Sequence, residues 1–302
     1  MWFWLSLIAL LCWSGSDLFS KIGCRDPRDK FSPLKMVIAV GVVMGLHAAY
    51  EIFVGGTEIN LSILLTYLPV SLLYISSMTL GYVGLRYIEL SISSPICNSS
   101  GALVAVMTLI FSGISGYSPL ALVAVALVCA GAIGLGVVDA CEDEDLRAAR
   151  QETSNYKYAK SAMALAMPVA YCLLDAAGTF ADNRVLETLN EDSVNVAYEL
   201  TFLLAAVVCF VYVVLIKRTP LIPKLEAPKY IGAVCETAGQ FAYIYAIADT
   251  AHLAMSAPII SSYCAASVLW SRIFLKEKLS WKHYLMILLI IIGIAIMGFF
   301  DM

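Results

Sequence analysis

An α-helix needs about 20 consecutive apolar residues to cross the hydrocarbon of a bilayer. This chain holds ten such runs separated by short polar breaks, near residues 2–22, 34–54, 61–85, 91–112, 119–138, 161–181, 193–215, 228–248, 252–274 and 280–300. In lipid every backbone N–H and C=O must find its partner inside the protein, so runs of this length are helices. Composition agrees: 61% of the 302 residues are hydrophobic and 14% charged, against about 45–50% and about 25% in soluble domains. The mean hydropathy is +0.83. With 19 basic and 23 acidic side chains there is too little charge to coat a soluble globule of this size. A net charge of −4 supplies no basic stripe for nucleic acid, and that partner class is set aside. The expected fold is all-α and integral to a membrane, with the lipid bilayer as its solvent.

The start, MWFWLSLIALLCW, has neither a basic region nor a small-residue cleavage site, and reads as a retained first span. The long polar break at 139–160 divides the chain into five spans (1–138) and five spans (161–302). Basic residues are retained on the cytoplasmic side, and 18 of the 19 Lys and Arg lie in the breaks after spans 1, 3, 5, 7 and 9, with only Arg184 on the other side. Both termini are therefore expected outside and the linker in the cytoplasm. Corresponding loops of the two halves then face opposite sides. The loop after span 1 is basic and its counterpart after span 6 acidic; the loop after span 7 is basic and its counterpart GGTEIN (55–60) has no Lys or Arg. Weak internal similarity points the same way. Trp13-Ser-Gly-Ser-Asp17 in span 1 matches Tyr171-Cys-Leu-Leu-Asp175 in span 6, and Ser93-Ser-Pro95-Ile in span 4 matches Ser256-Ala-Pro258-Ile in span 9. Two inverted five-helix repeats are expected, an arrangement with which secondary transporters build a site open to either face.

LCWSGSDLFSK (11–21), the Tyr67 to Ser112 hairpin with Pro95, and the stretch 254–298 with Glu277 at its junction resemble the ten-helix, EamA-type branch of the drug/metabolite transporter superfamily. The similarity covers essentially the whole chain. The first half departs from the pattern at its matching junction, SGISGYSP (112–119), which has no acid. The Asn- and Lys-bearing helix motifs of the nucleotide-sugar branch are absent. The resemblance implies a central cavity lined by spans 1 to 4 and 6 to 9, with spans 5 and 10 peripheral.

Ionisable groups inside a span cost a few kcal/mol or more, so they face a cavity or a partner. Glu236 sits some eight residues into span 8, roughly 12 Å deep at 1.5 Å per residue, with Gln240 and Tyr243 on its helical face. Asp17 and Asp175 each follow an aromatic residue at i−4, Trp13 and Tyr171. A ring face beside a carboxylate suits an organic cation. Lys21, at i+4 from Asp17, is a competing partner for that acid. Glu199 with Tyr198 beside it in span 7 reads as an entry group or an interfacial anchor. His47 and Glu51 in span 2 read as an internal pair. Tyr74 and Ser77 in span 3 are placed opposite the span 8 stripe, and Tyr263 shares a face with Ser256 and Ser267 in span 9. The structural alternative throughout is helix packing, in which serine and buried polar pairs are common. Acids at span edges also include Glu89 and Asp249.

Seven of nine cysteines lie in apolar runs and none forms a CxxC pair; they read as small buried hydrophobes. Cys24 and Cys141 fall in the cytoplasmic loops, where thiols stay reduced. No disulfide, metal or cofactor is expected, and no GxxxxGK[ST] phosphate loop is present. The charged form of a carboxylate is disfavoured in an apolar cavity and restored by a nearby cation, so proton and substrate can compete for Glu236, with Asp175 in reserve. The sequence thus reads as a secondary transporter of a small organic solute, cationic or amine-bearing rather than anionic, working by alternating access with proton coupling. The compact loops suit a bacterial inner membrane, and a homodimer through spans 5 and 10 stays open. Two rivals remain: a non-transporting receptor or assembly subunit, for which the loops offer little surface, and an embedded enzyme. The enzyme reading is weak because the three His (His47, His252, His283) show no HExxH spacing.

Overall fold

The computed structural model describes residues 1–26, 28–88, 90–114, 117–141 and 162–299. Every element among them is helical: α1 (Trp2–Cys24), α2 (Ser32–Tyr50), α3 (Leu61–Tyr87), α4 (Leu90–Asn98), α5 (Ser100–Ser112), α6 (Pro119–Ala140), α7 (Ala162–Val185), α8 (Glu191–Phe210), α9 (Pro223–Ile247), α10 (Leu253–Ser261), α11 (Tyr263–Trp270) and α12 (Trp281–Gly298). Eight stretches are long and apolar enough to cross a membrane. The two remaining expected spans correspond to α7 and α9, which have the length, at 24 and 25 residues, but are not among those eight. Asp175, Asp182 and Arg184 lie on α7; Lys224, Glu226, Lys229 and Glu236 lie on α9. From residue 142 onward the linker expected at 139–160 lies outside the described residues, as does Glu89.

Spans 4 and 9, each expected as one helix, are both interrupted four residues after a proline. Proline lacks an N–H for the helical ladder. The chain bends at Ser99, whose N–H donates to Pro95 O at 3.1 Å, and at Ser262, whose N–H donates to Pro258 O at 3.0 Å. The second helix of each half shares another feature: α2 runs on into a wider turn at Glu51–Gly55 and α8 into one at Val211–Ile216. The side chains of Asn60 and Asn190 cap α3 and α8 by accepting from Ile63 N and Ser193 N at 2.9 and 2.8 Å.

The helices pack across the halves. The main contacts pair α1 with α9, α3 with α7, α2 with both α8 and α9, α4 with α11, α5 with α10, and α6 with α12. The last pair approaches closely at glycine, as small residues permit in membranes. A Cβ at Gly131 would stand 2.8 Å from Met286 O, and one at Gly293 2.8 Å from Ala124 O.

Candidate functional site

The bent and polar helices enclose a chamber of about 900 Å³, including the open space at its mouth. Helix α1 contributes Trp13, Ser16, Asp17 and Ser20; α3 contributes Tyr74, Met78, Tyr82 and Leu85; α7 contributes Tyr171, Asp175 and Thr179; α9 contributes Glu236, Gln240 and Tyr243. The bent helices add Ser93, Ser94, Asn98 and Tyr263, and α8 adds Tyr198. Helices α6 and α12 supply none of the lining. Neither does α2, so the second span, which the resemblance implied as a wall, stands outside.

Three carboxylates meet in this space. Asp17 accepts from Ser94 Oγ at 2.5 Å and Ser267 Oγ at 2.8 Å. Asp175 accepts from Ser100 Oγ at 2.7 Å. The two aspartates, one per half, are therefore each held by hydroxyls of the bent helices and stay partly accessible from the chamber. Glu236 is buried against α1, where Trp13 Nε1 donates to its backbone carbonyl at 3.3 Å. The Trp13 ring lies 5.1 Å from that of Tyr243 and 5.8 Å from that of Tyr263. Glycine allows this approach: a Cβ at Gly239 would stand 2.6 Å from Trp13 Nε1. Tyr74 lies over Gly178 of α7 in the same way, and its hydroxyl is 2.5 Å from that of Tyr243. No Lys, Arg or His lies among the described lining residues.

Of the twelve residues expected to bind substrate, the structure brings ten to the chamber wall: Trp13, Asp17, Tyr74, Tyr171, Asp175, Tyr198, Glu236, Gln240, Tyr243 and Tyr263. It leaves two elsewhere. Ser77 Oγ donates to Tyr74 O at 2.8 Å within α3. Glu199 is fully buried between α8 and α2, 2.8 Å from His47 Nδ1 and accepting from Asn195 Nδ2 at 3.2 Å. His47 thus serves Glu199 as well as Glu51, whose Oε1 lies 3.6 Å from Nε2. Lys21 turns away from Asp17, and its ammonium donates to Leu85 O and Ile88 O at 2.7 Å each. Of the serines that hold the aspartates, only Ser267 stands out in the sequence, on the face of Tyr263; Ser94, Ser100 and Asp182 do not. Asp182 was placed in a loop, whereas α7 runs on to Val185 and buries it.

Beyond the Leu85 end of the chamber lies an ionic cluster. Glu226 of α9 sits between Lys229, at 2.8 Å, and Lys35 of α2, at 3.4 Å. Lys35 also bridges to Asp29 at 2.9 Å and donates to Pro220 O at 3.1 Å. Arg86 Nη1 donates to Asp29 O at 2.6 Å, tying the α1–α2 loop to the end of α3.

An all-helical body with eight helices long and apolar enough to cross a membrane thus encloses a chamber lined by three carboxylates. Residues 163–299 match the model of the EamA-like transporter family, part of the drug/metabolite transporter superfamily, the family that the sequence motifs resemble. The match contains the 254–298 stretch and leaves the 11–21 motif outside it. No curated protein matches the chain. A solved structure titled "Crystal structure of protein" is similar in fold, with a TM-score of 0.62 over 98% of this chain and 96% of its own at 15% identity.

Proposed function

We propose that the protein is a secondary transporter that moves a small organic cation across a membrane by alternating access between two inverted five-helix repeats. The observation that carries this reading is the chamber itself. Three carboxylates and a wall of one tryptophan and six tyrosines face it, with no described basic residue to neutralise them. A ring face attracts a cation by about 0.5–2 kcal/mol and favours a desolvated site. The cross-half packing supports the repeats. Exchanging each helix for its counterpart turns the α1–α9 contact into α7–α3 and maps the α2–α8 and α6–α12 contacts onto themselves. The matching bends at Ser99 and Ser262 support it further. In this reading α7 and α9 also span the membrane, making ten: Asp175 and Glu236 face the chamber, Glu226 and Lys229 pair with each other, and Asp182 is buried against hydroxyls. Both termini lie outside, in a bacterial inner membrane. Protons compete with the cation for Glu236 and Asp175, which couples their movements.

Tetraphenylphosphonium and tetraphenylborate, near-identical in shape and opposite in charge, test the charge preference. Purified protein should gain thermal stability from the phosphonium, more at pH 8 than at pH 5, and little from the borate. Equal stabilisation by the two ions would overturn the cationic assignment.

A further inference from the structure

We propose that Asp182 is a proton-binding site beyond the chamber, connected to it by the hydroxyls of Tyr74, Tyr243 and Thr179. Asp175, Thr179 and Asp182 stand at i, i+4 and i+7 on one face of α7. The first two line the chamber and the third does not. Tyr74 Oη donates to Asp182 Oδ2 at 3.3 Å and to Thr179 Oγ1 at 3.2 Å as alternatives, and Tyr243 Oη reaches Thr179 Oγ1 at 3.2 Å. Each hydroxyl can take a proton on one side as it gives one up on the other, so a proton crosses the cluster and no hydroxyl changes charge.

The carboxyl is fully buried, and the ionisable groups facing it are Tyr67 and Tyr74 from α3, Tyr243 from α9, and Asp175 on its own helix. Of the other helices against α7, α5 carries no ionisable side chain and α4 only Cys97, which lies by Asp175. No described cation is positioned to balance Asp182, and a buried carboxylate without one is strongly destabilising. Two buried atoms here, Asp182 Oδ1 and Tyr67 Oη, have no hydrogen-bond partner. Tyr67 faces this carboxyl and can pair with it in either state, donating to the carboxylate or accepting from the acid; the missing counter-charge is what favours the proton on Oδ1. The site's part in a transport cycle rests on the function proposed above; proton binding does not.

Infrared difference spectra of the purified full-length protein, recorded between low and high pH with no ligand added, test the assignment. Wild type should show a protonated-carboxyl C=O band that vanishes as pH rises. The chamber acids contribute bands of their own, and the one assigned to Asp182 should be missing from Asp182→Asn and kept in Asp175→Asn and Glu236→Gln. Tyr67→Phe, which keeps the acid and removes its acceptor, should shift the band's frequency, and this decides the matter should Asp182→Asn fail to fold. A spectrum unchanged by both Asp182→Asn and Tyr67→Phe overturns the proposal. So does loss of the wild-type band when sodium chloride replaces potassium chloride at constant pH, which would make this a sodium site. A protein that shows the band yet carries no organic cation would refute the transport reading and leave the proton site standing.

Discussion

Replacing Glu226 with alanine is expected to destabilise the protein by about 3–5 kcal/mol, the range for removing one partner of a buried ion pair. Glu226 and Lys229 side chains are 6% and 2% exposed, and Lys35 is 5% exposed. The cost arises less from the lost attraction than from what is left behind. Lys229 would keep only Leu225 O, at 3.2 Å, while Lys35 would retain Asp29 and Pro220 O. Lys229 is therefore the residue that suffers. Changing it to methionine in the Glu226→Ala background should recover part of the loss, because the uncompensated charge disappears with it. Unfolding measured on the two single variants and the double variant gives the coupling directly. A loss below about 1 kcal/mol for Glu226→Ala would place this cluster with surface pairs.

Glu236→Gln should weaken binding of an organic monocation by about 10- to 100-fold. Hydrogen bonds and contacts to a charged group contribute about 1.5–3 kcal/mol, and each 1.4 kcal/mol is about tenfold in affinity. The direction of the pH effect follows from competition for one acid. As pH falls, the carboxyl takes a proton and the cation loses its counter-charge, so wild-type affinity falls with falling pH. Glutamine cannot take that proton, and the pH dependence of the variant should flatten to what Asp17 and Asp175 retain. Titration of tetraphenylphosphonium by calorimetry at several pH values measures both effects. Equal affinity and equal pH dependence in wild type and variant would remove Glu236 from the site.

Much of this architecture was legible in the chain because lipid imposes a length on every span. The apolar runs gave the helices, and the acids inside them pointed to the chamber, since Asp17, Asp175 and Glu236 have no reason to sit in a span without a polar space to face. What escaped depended on boundaries and on side-chain direction. Asp182 comes directly after the expected span at 161–181, and only the extra helical turn to Val185 shows that it is buried. Ser94 and Ser100 are indistinguishable in sequence from packing serines; their roles appear once Pro95 has bent their span. Glu199 resembled a site acid because its partner His47 lies 152 residues away on α2. Lys21 has the spacing for Asp17, yet the free carbonyls where α3 stops draw it the other way.

Counterflow tests the central claim most directly, because it requires a site that opens alternately to both sides and needs no coupling gradient. Proteoliposomes loaded with unlabelled phenyltrimethylammonium and diluted into a trace of the labelled ion should accumulate label transiently above equilibrium. Accumulation no greater than in protein-free liposomes, at both pH 6 and pH 8, would contradict the account.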